Sequence, residues 1–222
     1  LIGSSELCDD EDVGGNCHYH GIVVEEEAPF KVLVGSGGDQ YAKEGVGLTG
    51  SEDNGKSWRN SDDGFVRDVH VSKLIIDPNN SNVFYATTQG ATEYTDKVGD
   101  GAGVFKSTDR GNNWTQINNG LSSLETNVLV VDPNDSEILY LGTDDDGIYK
   151  SQNGGANWEK LIPSASFGVG DIIVDPQNSN NIYVGTVDYF RLSESRGVLG
   201  DFGVYKSTDG GTTWEEFNSG LN

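Results

Sequence analysis

Carboxylates and aromatic rings gather in three stretches of the sequence. Tyr94, Asp96, Lys97 and Asp100 lie in one, Asp144, Asp145 and Asp146 in another, and Asp188, Tyr189, Arg191, Glu194, Arg196 and Asp201 in the third. Flat rings beside carboxylates suit sugar recognition, or glycoside hydrolysis by a carboxylate pair. Solvated loop tips have the same composition. Asp144–Asp146, and the run Asp9, Asp10, Glu11 and Asp12, offer oxygen ligands that would suit calcium. Neither run has the order of an EF-hand loop, and plain solvated charge is the alternative. His18 and His20 flank Tyr19. On a strand they would share a face and could hold a metal with a carboxylate, or simply be exposed strand residues. There is no phosphate-cradling glycine loop, G-x-S-x-G elbow or dinucleotide fingerprint.

Charge narrows the field. The 222 residues carry 14 Lys and Arg against 36 Asp and Glu, a formal net charge of −22. Nucleic-acid binding draws on clustered cations, so that class is excluded. No apolar run approaches the roughly 18 residues of a membrane span. Gly occurs 31 times, alongside 9 Tyr, 8 Phe and 4 Trp, which fits a core laid down between many turns. Cys8 and Cys17 read as one disulfide closing a short acidic loop, which implies an oxidising compartment; two free thiols are the alternative. The absence of Met, with Leu at position 1, suggests a processed or partial chain.

Repeats organise everything else. SEDNGKSW from Ser51, STDRGNNW from Ser107, SQNGGANW from Ser151 and STDGGTTW from Ser207 end in all four tryptophans, at Trp58, Trp114, Trp158 and Trp214. A second element appears as DPNNSNVFYATT from Asp77, DPNDSEILYLGT from Asp132 and DPQNSNNIYVGT from Asp175. Each repeat reads as four short strands, placed in the second copy at Val71–Ile76, Val83–Thr87, Gly103–Ser107 and Asn113–Ile117. The expected fold is all-β: a β-propeller of four-stranded antiparallel blades, at about 20–62, 66–119, 126–162 and 169–219, after an acidic segment at 1–19. Four repeats suggest part of a larger propeller, closure by self-association, or a closed four-blade monomer, in that order. The final NSGLN resembles the NNGL of Asn118–Leu121, where a following blade would begin.

The tryptophan segments resemble the Asp-box, or BNR repeat, of sialidase-like propellers, over everything after the first 19 residues. In this pattern Ser51, Asp53, Gly55 and Trp58, Ser107, Asp109, Gly111 and Trp114, Ser151, Asn153, Gly155 and Trp158, and Ser207, Asp209, Gly211 and Trp214 are structural. The carboxylate takes backbone donors across a turn, and Gly supplies positive φ. One copy departs, with Asn153 for Asp and Asn157 for Ser or Thr, which predicts a weaker turn. The resemblance places the box on the side remote from an active site. The three acidic and aromatic stretches then fall on the opposite, binding face.

Three functions follow from the resemblance. The first is a secreted, non-catalytic module that binds a glycan or an extracellular protein. The second is a glycoside hydrolase, similar in its DP-N…IYVGT…GVYKSTDGGTTW cadence to xyloglucan-degrading endoglucanases; a sialidase fits less well, since no FRIP segment precedes the first box. The third is a scaffold, as in sortilin-type receptors. No family catalytic residue can be placed in this sequence.

Overall fold

The computed structural model describes residues 18–25, 31–37, 47–65, 69–90, 101–162, 167–187 and 203–220. Among the described residues, sixteen strands form four separate four-stranded antiparallel sheets, each in simple sequential order. Each sheet is a blade. Blade 1 holds β1 (His18–Val24), β2 (Val32–Gly37), β3 (Leu48–Ser51) and β4 (Arg59–Asn60). Blade 2 holds β5 (His70–Asp77), β6 (Asn80–Gln89), β7 (Val104–Ser107) and β8 (Thr115–Gln116). Blade 3 holds β9 (Thr126–Asp132), β10 (Asp135–Thr143), β11 (Ile148–Ser151) and β12 (Glu159–Lys160). Blade 4 holds β13 (Gly168–Val174), β14 (Ile182–Val187), β15 (Val204–Ser207) and β16 (Glu215–Glu216). The chain divides into two compact units, Leu1–Ile117 and Asn118–Asn222, with two blades in each.

The first strand of every blade carries a bulge at the same place. Pairing slips between Tyr19 and Gly21, between Val71 and Lys73, opposite Gly142 and Thr143, and between Val169 and Asp171. Such a bulge adds one residue and bends the strand. In β1 the extra residue is His20.

Strands three and four of each blade join through the tryptophan segments, and these four corners are built alike. In the first, the Ser51 hydroxyl donates to Asp53 Oδ1 at 2.8 Å and accepts from Gly55 N at 2.8 Å. Asp53 also takes Ser57 N at 2.8 Å and the Ser57 hydroxyl at 2.5 Å. Asp109 and Asp209 repeat this with Asn113 and Thr213. The third corner keeps the same frame: Ser151 donates to Asn153 Oδ1 at 3.0 Å, and Asn157 N reaches that oxygen at 2.9 Å. Without a second carboxylate oxygen to serve, the Asn157 side chain instead accepts from Asn119 Nδ2 in the preceding connection.

Blades within a unit pack at repeated points. Gly35 on β2 admits Val71 of blade 2, and Gly142 on β10 admits Val169 of blade 4; in each case a Cβ would lie 2.5 Å from the valine. Leu33, Leu48, Val71, Phe84, Phe105 and Trp114 fill the core of the first unit. Val128, Ile148, Val169, Ile172, Ile182 and Val184 fill that of the second. A lysine on strand three lies over a tyrosine on strand two: Lys106 over Tyr85 at 5.4 Å, Lys150 over Tyr140 at 5.2 Å and Lys206 over Tyr183 at 5.6 Å. Blade 1 has Gly50 at the lysine position. The buried Lys31 fills the space, its Cε 3.2 Å from where a Gly50 Cβ would stand, and its ammonium donates to Asn112 at 3.0 Å.

Candidate functional site

The corners hold their carboxylates in structural work. Hydrogen bonds to Ser57 push Asp53 down to about 2, and those to Thr213 do the same for Asp209. An ionised group saturated by local donors is a poor proton donor or metal ligand.

At the other end of the blades, the connection between strands two and three is described in blade 3. Asp144, Asp145 and Asp146 form this turn. Buried Thr143 braces it, donating to Gly147 O and accepting from Asp146 N, both at 3.0 Å. Gly147 has φ 77°, a conformation that favours glycine. Two neighbouring connections tie the turn down: Asp144 N donates to Glu125 O and Gly147 N to Phe167 O, each at 3.0 Å.

The three aspartates have separate roles. Asp146 is a hub. Its Oδ2 accepts the Ser122 hydroxyl at 2.5 Å and the Tyr149 phenol, while Oδ1 accepts the Lys160 ammonium. Burial opposes ionisation of Asp146, but hydrogen bonds from Lys160, Ser122 and Tyr149 outweigh it and lower the pKa below the ordinary value. The Tyr149 phenol moves up, first through burial and then through its bond to Asp146. Exposed Asp145 accepts the Ser123 hydroxyl at 2.9 Å. Among the described residues no group of three or more His, Cys, Asp or Glu could hold a metal, so these aspartates do not converge as ligands.

Sequence reading passed over Ser122, Tyr149 and Lys160. Their one signal was position: Tyr149 lies three residues after Asp146, and Lys160 two after Trp158. The other expected binding residues, Tyr94, Asp96, Asp100, Asp188, Tyr189, Arg191, Glu194, Arg196 and Asp201, lie outside the described residues, as do Cys8, Cys17 and the acidic run between them.

A family model described as "Sortilin, neurotensin receptor 3" matches residues 102–222, more than half of the chain. The chain belongs to this Sortilin-Vps10 family. The chain is also 30% identical over 166 residues to a xyloglucanase of Paenibacillus sp, covering 65% of this chain and 16% of that protein. It is 28% identical over 176 residues to xyloglucanase Xgh74A of Acetivibrio thermocellus, covering 65% of this chain and 19% of the relative. The chain thus spans less than a fifth of the length of these enzymes. Among solved structures, the GH74 enzyme of Niastella koreensis superposes with a TM-score of 0.62 at 24% identity, over 91% of this chain and 30% of that one. That likeness is one of fold. The four sheets of this Sortilin-Vps10 family chain are blades of the β-propeller type.

Proposed function

We propose that this chain is a segment of a secreted glycoside hydrolase related to the xyloglucanases, and that its loop end binds a β-glucan chain. The observation that carries this is the 30% identity over 166 residues to the Paenibacillus xyloglucanase. Under this reading the tryptophan corners are Asp-box repeats, and the loop end is the working face. Asp145, Ser122 and Ser123 would offer acceptors and donors to sugar hydroxyls, braced from beneath by Asp146, Tyr149 and Lys160. Asp146 is not the acid of such a reaction. A glycosidase acid needs a raised pKa, and that of Asp146 is lowered. Asp188 and Asp201 are the acids to test first, with Tyr94 and Tyr189 as stacking plates.

A second reading is a non-catalytic module for a glycan or an extracellular protein. The family match favours it, because its description names a receptor.

The chain would be offered xyloglucan, mixed-linkage β-glucan and a sialoside, with electrophoretic retardation and reducing-end release as readouts. Retardation by xyloglucan is expected. Turnover lost in Asp188→Asn or Asp201→Asn would establish the hydrolase, and retardation without turnover the non-catalytic module. Neither retardation nor turnover on any glucan would overturn the glucan assignment.

A further inference from the structure

N-x-S/T triplets begin at Asn79, Asn113 and Asn134. Each has the sequence form of an acceptor for an N-linked glycan, a modification that belongs on a surface loop. The fold treats the three amides differently. Asn134 spends its amide hydrogens on blade 4, with Nδ2 donating to Pro176 O and to Ser179 Oγ at 3.1 Å each. Transfer of a sugar would remove one of those hydrogens and set the sugar against the blade 4 turn. Asn113 Nδ2 donates to Asp109 Oδ2 at 2.7 Å, inside the corner of blade 2. The rest of that triplet is locked as well: Trp114 is 4% exposed, and Thr115 pairs with Lys106.

Asn79 is placed otherwise. It lies in the turn between β5 and β6, where residues 78–82 are all exposed. Pro78 and the bond from Asn79 N to Asp77 Oδ1, at 2.9 Å, hold the backbone of this turn. Among the described residues, the Asn79 amide group and the Ser81 hydroxyl have no hydrogen-bond partner. The two groups that the triplet supplies, the acceptor nitrogen and the hydroxyl two residues on, are therefore both open to solvent. In a sheet of sequential antiparallel strands, this turn stands at the same end as the tryptophan corner of its blade, opposite the connection between strands two and three.

We propose that Asn79 is an N-glycosylation site, the one of the three triplets that the folded chain leaves open. The donor is an oligosaccharide linked through pyrophosphate to a lipid. Asn79 Nδ2 forms a bond to the anomeric carbon of the first sugar as the bond from that carbon to the pyrophosphate oxygen breaks. Lipid pyrophosphate leaves with the electron pair, and the amide nitrogen gives up one proton to solvent. The glycan then stands at the corner end of blade 2, away from the loop end to which glucan binding is assigned. From the proposed function this inference takes only secretion, the route on which a chain meets such a donor.

The purified, folded chain is offered to a single-subunit oligosaccharyltransferase of N-x-S/T specificity, with the lipid-linked oligosaccharide as donor. Its mass, 23.8 kDa at the outset, should rise by one glycan, and peptide mapping should place that glycan on Asn79. Asn79→Gln should abolish the gain, whereas Asn113→Gln and Asn134→Gln should each keep it. The Asn79 side chain is exposed, and an unchanged circular dichroism spectrum confirms that its variant folds. No gain in the folded chain, or a gain that survives Asn79→Gln, would overturn the proposal. Because the readout is a mass and not glucan retardation, failure here leaves the glucan reading standing, and failure of retardation leaves this one.

Discussion

Trp114 meets Gly64 backbone to backbone. Trp114 N donates to Asp63 O at 2.8 Å, and a Cβ on Gly64 would stand 2.2 Å from Trp114 O. Gly120 stands in the same relation to Trp158, again 2.2 Å from its carbonyl. Each connection is thereby pinned to the strand its blade pairs last. The indole completes the joint in the first unit, where Trp114 Nε1 donates to Ser61 O at 2.9 Å.

Gly64→Ala and Gly120→Ala should each destabilise the fold by about 2–4 kcal/mol, from an unfavourable positive φ plus a backbone clash that cannot relax. Gly220→Ala has the φ penalty and no clash among the described residues, so it should cost about 1 kcal/mol. Urea unfolding of the three variants checks the ranking. Equal losses at all three positions would show that the clash contributes nothing.

The corner carboxylates predict a stability loss in acid. Asp53 and Asp209 sit at about 2 in the folded chain, below the ordinary 3.8, because Ser57 and Thr213 donate to the ionised form. A depressed folded value stabilises above the unfolded pKa, and that contribution fades as the pH drops from about 4 toward 2. Asn153 makes the third corner without a charge. Asp53→Asn with Asp209→Asn should therefore be less stable than the parent at neutral pH and lose less on acidification. Thermal melts between pH 2 and pH 7 give the slopes, and parallel slopes would refute the linkage.

Lys160→Met should raise the Asp146 pKa. It removes a charge-assisted bond and leaves a half-buried carboxylate supported by Ser122 and Tyr149. Tyr149→Phe should act in the same direction and cost about 1 kcal/mol of stability, the net worth of one hydrogen bond. Carbon-13 NMR titration of the aspartates follows both. A carboxyl that titrates unchanged in Lys160→Met would mean the ion pair does not hold it.

How much was readable in advance depended on how far apart the partners lie in sequence. The strands and turns of the second copy were legible: Val83–Thr87 lies inside β6, and Gly103–Ser107 nearly coincides with β7. The Ser51–Asp53–Ser57 corner was legible too, since its bonds close within four residues. The weaker turn expected at Asn153 is visible as one lost bond, while the new partner of its neighbour Asn157 was not foreseeable, because Asn119 lies 38 residues away.

The sequence by itself determined the local grammar of this protein: four-stranded repeats, indole-closed turns and a strongly acidic composition. Those features arise from alternation, turn chemistry and charge, which act between near neighbours along the chain. Only the tertiary structure decided that His20 is a bulge residue, that Lys31 fills the place of an absent strand-three lysine, and that Asp146 is tied up by Ser122, Tyr149 and Lys160. It alone showed which glycines a neighbouring blade fills, as Val71 fills the space at Gly35 and Val169 that at Gly142. Identical glycines have identical propensities, and whether a neighbouring sheet fills the space beside one is a fact about packing.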